Sequence, residues 1–161
     1  MSTLVPMRAE AFALFAELAN ASYAQDNVTA GRWRPDEALD RARAEMQQLL
    51  PQGLATPNNF ICEIQHEPAS ESVGFLWYAV VGTEPNRSAY VYNIQVKPAF
   101  RRLGHARAAF AALEDIAMSQ GLQSIRLNVF AHNPAALALY RSLGFEMTSM
   151  SMRLLLDTEG A

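Results

Sequence analysis

The stretch Tyr90-Val91-Tyr92-Asn93-Ile94-Gln95-Val96-Lys97-Pro98-Ala99-Phe100-Arg101-Arg102-Leu103-Gly104-His105-Ala106-Arg107 decides the fold. Its first seven residues alternate as a strand does, Tyr90, Tyr92, Ile94 and Val96 against Val91, Asn93 and Gln95, and Pro98 stops the pattern. Ala106, Ala109, Phe110, Leu113, Ile116 and Ala117 then recur at helical spacing up to Gly121, a natural C-terminal cap. A short basic loop therefore joins a strand to a helix. Such a loop presents unpaired N–H groups at the helix N-terminus, where the helix dipole also attracts an anion. Gly104 and Ala106 keep side-chain bulk small there, and Arg101, Arg102 and Arg107 add charge-assisted donors. Phosphate is the expected guest. The loop is neither a Walker A sequence, which needs Lys-Ser/Thr at the helix start, nor the three-glycine dinucleotide fingerprint.

Working outward, the N-terminal side reads as a short strand at residues 4–7, a helix over 8–25, and a second helix over 35–50 opened by Pro35, Asp36 and Glu37. Strands follow at 60–65, 73–81 and 89–96, separated by polar turns containing proline or glycine. On the C-terminal side come a strand at 124–130, a helix capped by Asn133 with Pro134 in its first turn, and strand-like apolar residues over 145–156. The predicted order is β-α-α-β-β-β-α-β-α-β(-β), a mixed α/β sheet with a mostly antiparallel front half and splayed parallel central strands.

Composition bounds the function. The chain has 161 residues, half of them apolar, which suits one domain, residues 1–161, with its own core. A net charge of −3 argues against a general nucleic-acid binder. No apolar run reaches the roughly 20 residues of a membrane span and no signal-peptide layout opens the chain, so a cytoplasmic protein without membrane partners is expected. A single cysteine, Cys62, allows neither an intrachain disulfide nor a cysteine metal cluster, and no metal is expected. Twelve of the 13 basic residues are arginine, and three of these fall in the loop quoted above.

Twenty-seven residues after Ala106 comes Asn133-Pro134-Ala135-Ala136-Leu137-Ala138-Leu139-Tyr140-Arg141-Ser142-Leu143-Gly144-Phe145. With this second segment the chain resembles the GNAT superfamily of acyl-CoA-dependent N-acetyltransferases. Arg101-x-x-Gly104-x-Ala106 is similar to the family's pyrophosphate loop, and residues 133–145 to its second motif, in the family's order and spacing. The cofactor-binding motifs thus occupy 89–145.

The resemblance implies acetyl-CoA as co-substrate and direct transfer of its acetyl group to a primary amine of a small molecule or peptide. Backbone groups of Ile94, Gln95 and Val96 would pair with the pantetheine arm, and Arg101, Arg102, Leu103, Gly104, His105, Ala106 and Arg107 would surround the pyrophosphate. Asn133 would contact the cofactor, and Tyr140 would protonate the departing thiolate. A phenol with its pKa near 10 is protonated at neutral pH and suits that task. The strand following Gly144 leaves room for a homodimer. The alternative is a non-catalytic acyl-CoA-binding sensor or regulatory module. Where some family members carry a glutamate base, this chain has Asn128, which cannot accept a proton; Glu63, His132 or a relay through ordered water are the remaining candidates. Trp33, Asp26, Asp36 and Glu37 are expected to shape the acceptor side. Cys62, in an apolar strand, is expected to be inert rather than an acyl-carrying nucleophile.

Overall fold

The computed structural model describes residues 2–157. Nine regular elements follow one another: β1 (Ser2–Pro6), α1 (Phe12–Thr29), α2 (Ala38–Leu49), β2 (Asn59–His66), β3 (Glu71–Val81), β4 (Ser88–Val96), α3 (His105–Ser119), β5 (Ser124–Leu127) and α4 (Pro134–Ser142). The strands form one sheet in the order β1-β2-β3-β4-β5, antiparallel throughout except for the parallel pair β4–β5. Short turns join β2 to β3 and β3 to β4, the antiparallel pair β1–β2 is connected through α1 and α2, and the parallel pair requires the α3 crossover between its strands.

Alternation along the strands sends side chains to two layers. On one face Ile64, Leu76, Val91 and their neighbours pack against Ala109, Phe110 and Leu113 of α3. On the other, Ile61, Phe75 and Trp77 pack against Phe15, Ala19 and Met46 of α1 and α2. Phe15 is central to this second layer: its ring meets Phe75 edge-on at 4.9 Å and Trp77 at 6.1 Å. A third, smaller cluster joins the two helices, with Trp33 buried among Ala24, Ala38 and Ala42.

The expected mixed α/β order holds through α4. Two corrections concern its end. Residues 145–157 carry no helix or strand, so the strand expected over 145–156 does not form. Its apolar residues Met150, Met152, Leu154, Leu155 and Leu156 face solvent, and strand-like composition without a neighbouring strand to bond leaves the backbone unpaired. As a result β5 is the edge of the sheet, and the parallel pair lies at one side rather than in the centre. Asp157 closes the described residues, and Arg153 donates to the carbonyl of Gly31 at 3.1 Å, which lays the segment against the end of α1.

A half-buried ion pair, with Glu63 covered and Arg8 exposed, links the sheet to the start of the helical layer. Glu63 on β2 is only 3% exposed, and Arg8 grips it through Nε at 3.0 Å, Nη2 at 3.2 Å and its own amide at 3.3 Å. The hydrogen bonds from Arg8 hold the Glu63 carboxyl below its ordinary range. A carboxylate with a lowered folded-state pKa stabilises the fold above its unfolded pKa, and that contribution is lost as pH falls through the lowered value.

Replacing Arg8 with Ala therefore lowers Tm more at pH 7 than at pH 4, and adding Glu63→Gln recovers part of the loss; thermal melts at both pH values check this. Phe15→Ala removes a fully buried ring and costs about 3–5 kcal/mol in denaturant unfolding.

Candidate functional site

The site begins where two strands part. β4 and β5 pair over Ser88–Val91 and Ser124–Leu127, and beyond Val91 no strand among the described residues pairs with the open side of β4, where the Arg101 side chain reaches the Val96 carbonyl. On its other side β4 continues against β3, with Phe75 opposite Gln95, Gly74 opposite Val96, and the Lys97 amide donating to Val73 at 2.8 Å. In an antiparallel ladder the backbone groups of successive residues point alternately toward and away from the partner. Lys97 and Gln95 thus turn theirs to β3, and Ile94 and Val96 turn theirs to the gap. Of the three residues expected to offer backbone there, Gln95 does not, and its side chain instead reaches the Leu18 carbonyl on α1 at 3.4 Å. Gly74 permits the close β3–β4 approach, since a Cβ at that position would stand 2.1 Å from the Gln95 carbonyl oxygen.

The loop leaving β4 is a single 3-10 turn, Pro98–Phe100, followed by residues 101–104 and α3. Arg102 and Gly104 both take positive φ, 61° and 84°. Such left-handed residues curl successive amides toward one point, a geometry that binds anions. The first bond of α3 runs from the Ala108 amide to the Gly104 carbonyl at 3.0 Å, so the amides of His105, Ala106 and Arg107 precede the helical ladder. A Cβ at Gly104 would meet nothing within 4 Å, which leaves open space before those amides. The residues present fit a pyrophosphate.

The side chains of the loop divide differently from the expectation. Arg101 folds back on the Val96 carbonyl at 3.0 Å, and Arg107 reaches Ser142 of α4 at 2.7 Å. Of the three arginines, Arg102 alone carries no hydrogen bond or ion pair among the described residues, and Leu103 beside it is exposed. The ring of His105 points inward: it is buried, its Nδ1 lies 2.7 Å from Ser2 Oγ, and the His66 ring stands 5.1 Å away. Only its backbone, with that of Ala106, faces the loop's concave side.

Asn133 caps α4, its side-chain oxygen accepting from the Ala136 amide at 3.3 Å. Tyr140, two turns on, packs between Phe110 and Phe145 with ring centroids 5.7 Å from each. Burial raises its phenol above the ordinary value of 10.0.

Several other candidates are committed elsewhere. Glu63 is locked by Arg8, and His132 pairs with Asp26 at 2.9 Å. Asp36 pairs with Arg34, Glu37 with Arg41, and Trp33 packs the helix pair beneath the Arg41 guanidinium rather than lining a cavity. Asn128 is exposed just beyond β5. Cys62 is buried, which pushes its thiol up to about 11.

One feature was hidden in the sequence. On the sheet face opposite α3 a cleft opens between α1, α2 and the sheet, lined by Tyr23, Glu45, Trp77, Tyr92 and Asn93 among others. Trp77 pairs with Asn93 and Tyr78 with Val91, so Tyr92 is the extra residue of a β-bulge. The bulge puts two consecutive side chains, Tyr92 and Asn93, on one face, which strict alternation forbids. The tyrosine-asparagine pair inside an apolar strand was the available signal.

Gly74→Ala forces β3 and β4 apart next to the open segment. The expected outcome is a loss of about 1–3 kcal/mol in stability, measured by denaturant unfolding. Arg102→Gly removes the strain of a non-glycine residue at positive φ and raises stability by up to roughly 1 kcal/mol in the same unfolding assay.

The acetyltransferase (GNAT) family model matches residues 23–145. The chain is 34% identical over 149 residues to the uncharacterized N-acetyltransferase YycN of Bacillus subtilis, covering 92% of this chain and 95% of the relative. The crystal structure of that YycN acetyltransferase superposes with a TM-score of 0.91 at 33% identity, over 97% of this chain and 99% of the other. A shorter match, 38% identical over 72 residues, is to the [ribosomal protein bS18]-alanine N-acetyltransferase of Escherichia coli, covering 45% of this chain and 49% of the relative. A strand pair that parts beside an anion-cradling helix end, and these likenesses over most of its length, establish that the chain belongs to the GNAT family of N-acetyltransferases.

Proposed function

We propose that this protein transfers the acetyl group of acetyl-CoA directly to a primary amine of a small molecule or peptide. The observation that carries the reading is the parting of β4 and β5 at Val91 and Leu127, directly beside the loop whose amides open toward an anion. The Ile94 and Val96 backbone groups would bond the pantetheine arm as an added strand. The amides of His105, Ala106 and Arg107, with the free guanidinium of Arg102, would hold the pyrophosphate. Loop and strand together would fix the thioester at the split.

The chemistry balances with a single acid. The neutral amine nitrogen bonds the thioester carbon, the C–S electron pair passes to sulfur, and Tyr140 supplies the thiolate's proton. The nitrogen's surplus proton then restores the phenol, so that amide and free thiol are the products. Because burial raises the Tyr140 pKa, its acid form persists through neutral and mildly alkaline solution. Activity carried by this group is present below the raised pKa and lost as pH rises through it. Glu63 on β2 is not a free base, since Arg8 occupies both of its carboxylate oxygens.

The test is release of free thiol from acetyl-CoA across a panel of primary amines. Tyr140→Phe is expected to lower kcat by roughly 10²-fold or more while leaving the KM for acetyl-CoA nearly unchanged. Saturable acetyl-CoA binding with no turnover on any amine would instead identify a sensor module. In the wild type the alkaline limb of the kcat profile lies above pH 10.0, and in the Phe variant it disappears.

A further inference from the structure

The buried stripe of α3 starts on a histidine. His105, Ala109, Leu113 and Ala117 are all buried at four-residue spacing, and the later three are apolar. A polar ring at the head of such a stripe is costly unless it is hydrogen-bonded. Its Nδ1 lies 2.7 Å from Ser2 Oγ on β1, a bond between residues 103 positions apart. The His66 ring at the end of β2 meets it edge-on at 5.1 Å, and Ser2 stands opposite His66 in the β1–β2 register. The buried Nδ1 of His66 takes no partner among the described residues, so it does not compete for the Ser2 hydroxyl. One imidazole therefore joins the first residue of α3 to two strands.

That residue is the exit of the loop over 101–104, which has little else to hold it. Arg102 and Gly104 both take positive φ, a conformation that in a non-glycine residue persists only where its surroundings impose it. Gly104 caps α3 without a side-chain bond to its amides, and Leu103 is 67% exposed. At the loop's entrance Arg101 bonds the Val96 carbonyl, and the Phe100 ring lies 6.2 Å from the His105 ring. The imidazole thus touches the entrance through Phe100 while its own backbone forms the exit, so its position limits how far the loop opens. An apolar side chain at this place would fill the space, but burial is non-directional. A hydrogen bond to Ser2 has a direction, and it fixes the rotation of the turn that carries the open amides of His105, Ala106 and Arg107.

We propose that the His105 side chain, through its bond to Ser2, is a positioning residue for the cofactor's pyrophosphate: it aims the α3 amides and touches no substrate atom itself. The inference rests on the transfer reading above and adds what orients the anion cradle. Ser2 and His66 act through His105, and β1 thereby takes part in cofactor binding from the opposite edge of the sheet to β5. The cofactor's two ends separate this role from plain stabilisation. Its pyrophosphate would depend on the cradle, whereas its thioester and pantetheine arm would lie along β4. A donor with the same thioester and no phosphates would therefore not feel the loss of the bond, while a general loosening of the fold would affect both donors alike.

The experiment compares acetyl-CoA with S-acetylpantetheine as donors, by thiol release at a saturating amine, in the wild type, Ser2→Ala, His105→Phe and His105→Asn. Phe keeps a ring against His66 and Phe100 but loses the hydrogen bond; Asn gives up the ring and keeps a polar atom near the place of Nδ1. Ser2→Ala and His105→Phe are expected to raise the KM for acetyl-CoA roughly threefold to tenfold, the effect of one hydrogen bond. In Ser2→Ala kcat and the kcat/KM for S-acetylpantetheine stay at their wild-type values, and the KM of His105→Asn lies closer to wild type than that of His105→Phe. An unchanged acetyl-CoA KM in either Ser2→Ala or His105→Phe overturns the proposal, as does an equal loss with both donors or an Asn variant no better than Phe. Each of these leaves the transfer reading intact, because turnover is still seen. Should His105→Phe not fold, Ser2→Ala, which removes one hydroxyl, decides alone. If no amine is acetylated, calorimetric titration of the intact protein with ADP reads the cradle directly. Weaker ADP binding in Ser2→Ala than in the wild type upholds the positioning role although transfer fails, and equal binding, or none to the wild type, overturns it.

Discussion

β4 is laddered to β3 on one side, interrupted only at the Tyr92 bulge, but only Ser88–Val91 find a strand partner on the other. An unpaired strand segment inside a folded protein must bond water or a ligand, because buried N–H and C=O groups without partners are destabilising. Everything functional is arranged around this segment. The antiparallel register with β3 determines that Ile94 and Val96 face the gap and Gln95 does not. The loop that leaves the same strand turns through two left-handed residues, Arg102 and Gly104, and so delivers the α3 amides to the gap's far end. One strand thereby connects the open backbone segment to the open amides of α3 without any intervening hinge.

The bulge at Tyr92 gives the same strand a second role. Without the extra residue, β4 would alternate strictly, and either Tyr92 or Asn93 would turn into the α3 layer. With it, Ile94 and Val96 pack toward α3 while Tyr92 and Asn93 line a cleft against α1 and α2. The two faces of the sheet thus differ, one packed against α3 and the other opening into the cleft. Supporting contacts are correspondingly close: Gly74 lets β3 approach Gln95, and the Phe15 ring fills the layer below Trp77. Arg107, bonded to Ser142, ties α3 to the helix that carries Tyr140.

Much of this was legible in the chain. The helix starts and stops were marked by Pro134, Gly121 and Asn133, because capping chemistry is local and needs no knowledge of distant residues. The strands at the centre of the sheet were marked by runs such as Val73–Val81, whose burial on both faces makes them apolar throughout. The strand expected over 145–156 failed for the opposite reason. Its composition is strand-like, but a strand exists only through bonds to a neighbour, and neighbours are a tertiary property. The charged candidates also divided on tertiary grounds, since nothing in the local sequence shows that Arg8 reaches Glu63 or that His132 reaches Asp26, 106 positions away.

The sequence by itself determined the strand-loop-helix with its open amides, the capped helix with Tyr140, and through both the family. These depend on interactions within a few residues and on backbone conformations that particular residue types favour. Only the tertiary structure decided which arginine remains free, which backbone groups face the gap, and that Glu45, Trp77, Tyr92 and Asn93 meet in one cleft. Those outcomes follow from strand register and helix docking, where a shift of one residue reverses every side chain, and no local pattern records that choice.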